Sequence, residues 1–211
     1  MAVTEFALIQ LKRDCDKSKF LELFRVSMRI QDQWVRENQP HLLQNKPYPV
    51  LSTFVLQNTE PPYLLVTAQW DSPQGHAKWL LSAANKGVFS ELSTYVDDVS
   101  ASVVVFHMDP AGSEAELRGD LFAQEAPFSV CQLSVNSSQR ESVQKKYCSI
   151  EAQARIAQPS SKVWAGWRIE KDDDEEELVI FWNQGVLDGQ LSDLLSTPGA
   201  EHEIRQFQIF E

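Results

Sequence analysis

The chain has 211 residues, of which 43% are hydrophobic and 23% charged, a composition typical of a globular protein with its own core. Its formal net charge of −11 argues against a duplex nucleic-acid binder, because phosphate contacts need clustered lysine and arginine. No apolar run approaches the roughly 18 residues that span a bilayer, and the N-terminus does not read as a signal peptide. We therefore expect a cytoplasmic protein with neither a nucleic-acid nor a membrane partner.

The first part of the chain predicts a strand, a long helix and two more strands. Residues Val3–Leu11 are strand-like, and a helix is predicted from Lys17 to Glu37 because apolar residues recur there at the 3.6-residue period. Two strands, Val50–Gln57 and Tyr63–Trp70, are predicted on either side of a proline-containing turn at Thr59–Pro62.

Ser72 and Pro73 predict the start of a second helix, since serine caps free amides and proline is tolerated in the first turn. This helix is expected to reach about Val96, and a strand is expected at Ala101–Met108. The completed order, β-α-β-β-α-β, is that of a ferredoxin-like unit. One apolar helix face is predicted from Ala77, Leu80, Leu81, Ala84, Val88, Leu92 and Tyr95.

After a polar connection at Asp109–Asp120, the second half predicts the same order with a shortened end. A strand at Pro127–Val135 is followed by a helix that begins with a capping box at Ser138–Glu141 and extends to about Ala157. The remaining predicted elements are strands at Val163–Glu170 and Leu178–Trp182, a brief helix at Gln190–Ser196 and a strand at Glu203–Phe210.

Six consecutive acidic residues, Asp172–Glu177, separate two of these strands. Their mutual repulsion favours a solvated loop. A metal site is the alternative, but nothing in the sequence holds the carboxylates in a converging geometry. We expect a solvated loop.

Two sequence matches indicate that the chain is a duplication. FALIQL at Phe6–Leu11 is similar to FSVCQL at Phe128–Leu133, and LLVTAQWDS around Trp70 is similar to ELVIFWNQG around Trp182. Duplicated units with similar sequences tend to fold alike and to pack through equivalent surfaces. The predicted fold class is therefore α+β, with two ferredoxin-like βαββαβ repeats at 1–109 and 124–211, a linker at 110–123, and the second repeat shortened.

Trp70 ends a predicted strand and is followed by Asp71 and Ser72. His76 then lies in the first turn of a predicted helix, with Trp79 beyond it. This arrangement resembles the antibiotic-biosynthesis-monooxygenase-like family of dimeric α+β barrels. The resemblance implies two units with their sheets face to face, here within one chain as in the family's tandem members. It also implies a pocket between each unit's sheet and helices. That family includes cofactor-independent oxygenases, polyketide cyclases, haem-degrading enzymes, isomerases and proteins without known catalysis.

His76 is the candidate catalytic residue, since imidazole titrates near neutral pH and can take a proton from a phenol or from a carbon next to a carbonyl. A surface or capping histidine is the alternative. Trp70 is a candidate wall of the same pocket, where a flat substrate would stack, although a core role is equally open. Trp79 is predicted to lie on the side of the helix opposite its apolar face, where it would contact the other unit or a second copy of the chain.

Gln10 and Tyr63 are candidate substrate-binding residues. Gln10, like Gln132 in the matching segment, interrupts an apolar strand and must find hydrogen-bond partners if it faces inward. A tyrosine can donate a hydrogen bond to a developing enolate, and Tyr48 and Tyr95 are the alternatives to Tyr63.

No metal site and no cofactor are predicted. The cysteines are widely spaced and the remaining histidines lack ligand spacing, so thiols and lone structural histidines are expected. Phosphate-binding glycine loops are not found. The residues concerned are Cys15, Cys131, Cys148, His41, His107 and His202.

Several functions remain open at this point. The resemblance favours a cofactor-independent monooxygenase of aromatic or polyketide metabolism that binds a small hydrophobic molecule. A cyclase, isomerase or lyase could use the same pocket, a haem protein could use His76 as axial ligand, and a non-catalytic binding or assembly module is the remaining alternative. A homodimer is possible in each case.

Overall fold

The computed structural model describes residues 2–43, 51–57, 59–115, 117, 127–157, 163–171, 174–183, 187 and 189–207. The chain forms two compact units, residues 1–105 and 106–211. Both combine antiparallel strands with helices, so the predicted α+β class is confirmed. The predicted domain and linker boundaries, and the identity of the units as ferredoxin-like repeats, stay predictions.

The first unit contains three paired strands and most of the helices. The elements of this unit are β1 (Val3–Gln10), α1 (Lys17–Asn38), β2 (Ser52–Gln57), β3 (Tyr63–Trp70), α2 (Pro73–Leu81), α3 (Ala83–Leu92), α4 (Val99–Ser102) and the start of β4 (Val103–Pro110). Strand β3 lies between β1 and β2 and is antiparallel to both, with Val3 opposite Trp70 and Gln10 opposite Tyr63.

Alternation along β1 and β3 gives this sheet one face that packs against helix α1. Ala7 on β1 and Leu64 and Val66 on β3 share an apolar core with Phe20 and Phe24 of α1. Asp16 caps α1, since its side chain accepts a hydrogen bond from the amide of Lys19. The predicted bounds of β1, α1 and β3 agree with these to within one residue, whereas Val50, the predicted start of β2, lies outside the described residues.

The single helix predicted from Ser72 to Val96 is wrong. Ser82 has an extended backbone and its hydroxyl accepts from the amide of Asn85, so it ends α2 and caps α3. The break changes which face is buried: Leu80 is 48% and Leu81 72% exposed, whereas Trp79 is 3% exposed. The predicted apolar face is therefore also wrong for α2, and Trp79 is a core residue of the first unit.

After β4, the second unit contains β5 (Phe128–Asn136), α5 (Arg140–Ala157), β6 (Val163–Arg168), β7 (Glu175–Asn183), α6 (Ser192–Leu195) and β8 (Glu201–Phe207). Its strands form an antiparallel arrangement in the order β4-β6-β7-β5-β8. Helix α5 covers one face, where Cys131, Leu133 and Ile180 join an apolar core with Val143 and Tyr147.

The solvated loop predicted for the acidic run is wrong for its second half, because Glu175, Glu176 and Glu177 belong to strand β7. Glu176 is only 3% exposed and accepts hydrogen bonds from Arg140 and Lys171. Glu177 accepts from Arg168 at 2.9 Å and from Gln132 at 2.7 Å. Paired cations on neighbouring elements remove the repulsion that favoured a loop. Asp172 and Asp173 lie outside the described residues.

The strand registers show that the two sequence matches cannot both be structurally equivalent: aligning the glutamines of the first match misaligns the tryptophans of the second. Gln10 lies opposite Tyr63, seven residues before Trp70 (70 − 63 = 7). Gln132 lies opposite Val179, three residues before Trp182 (182 − 179 = 3). If the two halves are aligned on their glutamines, Trp70 therefore lies four residues further along its strand than Trp182 does. Because four is an even number and side chains alternate between faces, both tryptophans still lie on the face that helices cover.

None of the helices among the described residues is both long and apolar enough to cross a bilayer.

Candidate functional site

The start of α2 places His76 against the sheet. The Ser72 hydroxyl accepts a hydrogen bond from the amide of Gly75 at 3.0 Å, and Pro73 opens the helix, as predicted. Gly75 allows a close approach, since a Cβ atom there would lie 1.8 Å from Asp71 Oδ1. His76 follows and is 3% exposed. Of the alternatives that the sequence left open for this residue, a surface histidine is therefore wrong.

His76 stacks on Trp70, with ring centroids 4.5 Å apart and ring planes at 13°. The indole Nε1 of Trp70 donates a hydrogen bond to Glu5 Oε2 at 2.6 Å. The same carboxylate oxygen lies 3.7 Å from His76 Nε2. These three residues, the Glu5–Trp70–His76 cluster, are 7%, 0% and 3% exposed.

Two further tryptophans surround this cluster. The Trp34 ring, on α1, lies 6.4 Å from Trp70 and 5.7 Å from Trp79 between centroids. Trp34 is half-buried, whereas Trp79 is buried. The rings lower the local polarity around Glu5 and His76, so electrostatic interactions between these two groups are stronger than they would be in water.

A buried imidazole beside a carboxylate can exchange a proton with a bound molecule. A carboxylate 3.7 Å from the imidazole stabilises the imidazolium that forms when histidine takes a proton. Trp70 stacks on the same ring. The arrangement therefore brings together a candidate base, a neighbouring carboxylate and an aromatic wall.

The sequence-predicted residues fall into two pairs. His76 and Trp70 lie together, whereas Tyr63 donates a hydrogen bond to Gln10 Oε1 at 3.0 Å on the other face of the same strands. The alternation along β1 sets this division, because Glu5 and Gln10 differ by an odd number of residues. The predicted roles of Gln10 and Tyr63 in substrate binding stay predictions, but these two side chains lie on the opposite face of the sheet from the Glu5–Trp70–His76 cluster.

Glu5 is the residue that sequence reasoning missed. It is an acid within a strand whose neighbours Val3, Phe6 and Ala7 are all buried. The same alternation that was applied to Gln10 places Glu5 on the face of Ala7, which the helices cover. A charged residue on a core-facing position of a strand is the signal that could have found it.

A separate apolar pocket of about 70 Å³ lies between the sheet and the helices of the first unit. Ile9 on β1 borders it, four residues and about 13 Å along the strand from Glu5. It is much smaller than the roughly 300 Å³ at which ligand pockets commonly begin. Its lining residues are Ile9, Phe20, Phe24, Phe89, Leu92, Ser93, Val96, Val99 and Val103.

Two other histidines lie beside acidic residues, and neither contact forms a metal site. Within the described ranges, no three histidine, cysteine or acidic side chains converge as a metal site would require. His41 lies 3.8 Å from Asp71, and His107 Nδ1 lies 2.5 Å from Glu170 Oε1. Partial burial raises the pKa of Glu170, but the backbone and side-chain hydrogen bonds from His107 outweigh this effect and leave that pKa below its ordinary value. Burial raises the pKa of the Cys131 thiol to about 12.

Solved structures share this fold over nearly the whole chain. A candidate monooxygenase from Lactobacillus acidophilus NCFM has a TM-score of 0.59 at 7% identity, and the match covers 98% of this chain and 92% of that one. A candidate monooxygenase from Fusobacterium nucleatum subsp. nucleatum ATCC 25586 has a TM-score of 0.59 at 8% identity, covering 100% and 93%. An anthrone oxidase-like protein has a TM-score of 0.57 at 10% identity, covering 100% and 92%.

At 7% to 10% identity, these likenesses show that the chain shares the α+β fold of these solved structures, and they show the fold alone. No protein-family model and no curated protein matches the sequence.

Proposed function

We propose that the chain is a cytoplasmic small-molecule enzyme of aromatic or polyketide-type metabolism, most concretely a cofactor-independent monooxygenase with His76 as its base. The observation that carries the proposal is the buried Glu5–Trp70–His76 cluster, in which a carboxylate lies 3.7 Å from the imidazole. The fold that the chain shares with candidate monooxygenases and an anthrone oxidase-like protein supports the same reaction class.

In this mechanism His76 removes a proton from a phenol, or from a CH₂ group next to a carbonyl, and Glu5 stabilises the resulting imidazolium. The substrate carbanion then reacts with dioxygen. Conversion of the CH₂ group to a carbonyl by one O₂ releases one water, so the substrate supplies all the electrons. Because His76 is 3% exposed and stacked on Trp70, substrate entry requires the ring to leave Trp70 or α2 to move.

The test is oxygen uptake with a panel of anthrones and hydroxynaphthalenes. His76→Gln keeps a polar side chain of similar size but removes the titrating ring, and it should lower turnover at least tenfold. His76→Ala should do the same at a larger cost in stability, because it leaves a cavity beside Trp70. His202→Gln is the matched control, since His202 is an exposed residue of β8 in the second unit.

Equal turnover of His76→Gln and the unsubstituted protein would overturn the proposal. Loss of activity in His202→Gln as well would show that the effect is not specific to the cluster. An anaerobic repeat separates the reaction types, because a cyclase, isomerase or lyase with the same base continues without oxygen and a monooxygenase stops. A melting curve for each variant separates lost chemistry from lost folding.

The apolar pocket favours a second candidate, a non-catalytic protein that binds a small apolar molecule. The pocket lies about 13 Å along β1 from Glu5, so a ligand held there would not reach His76. Calorimetric titration with toluene and short alkylbenzenes tests this candidate. Binding that Phe24→Trp removes by filling the pocket, without any oxygen uptake, would favour it over the enzyme.

A haem protein is not favoured by the geometry. His76 Nε2 faces the Glu5 carboxylate at 3.7 Å, and one face of the ring lies on Trp70. Ligation of iron through Nε2 would require displacement of Glu5, and the 70 Å³ pocket cannot hold a porphyrin. We therefore expect that no Soret band appears when haem is added.

A further inference from the structure

The indole of Trp70 differs from two other tryptophans in the chemistry of its acceptor. Trp70 Nε1 donates to a carboxylate oxygen of Glu5 at 2.6 Å. In the second unit, Trp164 donates to the backbone carbonyl of Glu114 at 3.2 Å, and Trp167 donates to the amide oxygen of Gln144. A carboxylate can accept a proton outright, whereas a carbonyl or amide oxygen can only share one.

This difference matters when an indole is oxidised. Removing one electron from indole makes its N–H strongly acidic, so a proton acceptor already in hydrogen-bond contact takes the proton as the electron leaves. The product is a neutral radical next to a neutral carboxylic acid. That product suits a buried site, because it does not place a net charge in the core.

A route for the electron leads from Trp70 to the surface. The centroid of the Trp34 ring lies 6.4 Å from that of Trp70, and Trp34 is half-buried. Trp79 lies 5.7 Å from Trp34 but is 3% exposed, so Trp34 is the outer member of the three.

We propose that Trp70, with Glu5 as its proton acceptor, is a one-electron redox site connected to the surface through Trp34. A one-electron oxidant in solution, such as an organic peroxyl radical, takes an electron from Trp34 and becomes a peroxide anion. Trp70 then supplies an electron to Trp34 and passes its Nε1 proton to Glu5. A thiol or ascorbate later returns the electron through Trp34, and Glu5 returns the proton. This site does not depend on the proposed monooxygenase function.

The test uses a ruthenium(III) complex, generated in solution by a light flash with persulfate, as the oxidant. Transient absorption distinguishes the neutral indolyl radical from the protonated cation radical. In the unsubstituted protein the neutral radical should form, and its formation should be at least twofold slower in D₂O because a proton moves with the electron. Glu5→Gln and Trp70→Phe should each lower its yield at least fivefold, and Trp34→Phe should slow its formation at least tenfold.

Trp164→Phe is the matched control and should leave the yield unchanged. Near-ultraviolet circular dichroism confirms that each variant is folded, and the isotope effect in the unsubstituted protein tests the proposal without any variant. An unchanged yield in folded Glu5→Gln, or no isotope effect in the unsubstituted protein, would overturn it. Oxygen uptake is not measured in this experiment. A negative result here can therefore be distinguished from a negative result in the test of the proposed enzyme activity.

Discussion

Buried carboxylates have different partners in the two units. In the second unit, Glu176 accepts from Arg140 and Lys171, and Glu151 accepts from Arg155 at 3.3 Å and from the backbone amide of Ser113 at 2.9 Å.

In the first unit, Glu5 instead contacts an indole N–H and lies beside a histidine. The carboxylate of Glu176 is hydrogen-bonded to cationic side chains, whereas that of Glu5 lies against an indole N–H and an imidazole, which can give or take a proton. Burial of an acid alone therefore does not distinguish the two sites, whereas the contacting groups do.

The largest expected effect follows from removing the indole donor to Glu5. Trp70→Phe loses ring area and leaves a buried carboxylate without this donor, so the free energy of unfolding should fall by about 3 kcal/mol. Urea denaturation of Trp70→Phe, Glu5→Gln and the double variant measures the coupling. Because Glu5→Gln removes the buried charge, Trp70→Phe should cost less in that background. Equal costs in both backgrounds would show that the hydrogen bond contributes nothing measurable.

A smaller loss is expected from the cation-paired carboxylate of the second unit. Glu176→Ala removes the shared acceptor of Arg140 and Lys171 and should lower the free energy of unfolding by about 2 kcal/mol, since both cations can partly reach water. Glu175→Ala is the control, because Glu175 is exposed in the same acidic run. Similar losses for the two variants would contradict the structural role of Glu176.

Cys131 of the second unit provides a pH-dependent test of a buried group without a charged partner. Burial raises the pKa of its thiol from 9.0 to about 12, so the unfolded chain loses this proton first as the pH rises. The stabilising contribution is complete below pH 9.0 and is lost between pH 9.0 and about 12. At pH 10 the loss should be about 1.4 kcal/mol.

The measurement is urea denaturation at pH 8 and pH 10 for the unsubstituted protein and for Cys131→Ala. The variant should lose less stability between the two pH values, by about the same 1.4 kcal/mol, since other groups titrate equally in both proteins. Exposed Cys148 should react with a thiol reagent in the folded protein, whereas Cys131 should react only on unfolding. Rapid modification of Cys131 in the folded protein would contradict its burial.

Periodicity and caps in the sequence predict most strands and helices, because local preferences and tertiary packing agree in these segments. The Ser72 cap and strand β3 are examples. The break at Ser82 was missed, since a serine within an apolar pattern resembles an ordinary helical position until its hydroxyl finds an amide. The sequence also did not predict that the second half of the acidic run is part of a strand. The cationic side chains that neutralise these glutamates, Arg140 of α5, Arg168 and Lys171, lie outside the acidic run.

The candidate site was only half predictable for a similar reason. His76 and Trp70 are close in sequence and belong to consecutive elements, so a local pattern could bring them together. Glu5 is 65 residues from Trp70 in the chain, and their contact depends on the register in which Val3 lies opposite Trp70. Register is set by the whole hydrophobic pattern of a sheet and not by any local motif.

The smallest expected change in stability comes from a substitution that tests which face of the first unit's sheet contacts the substrate. Tyr63→Phe removes the hydrogen bond to Gln10 and should lower the free energy of unfolding by about 1 kcal/mol. If the reacting site is the cluster under α2, kcat and KM should both stay within twofold of the unsubstituted protein, because Tyr63 lies on the opposite face from His76. A several-fold rise in KM with unchanged stability would instead place the substrate against Gln10 and Tyr63, and the base would then have to be sought on that face.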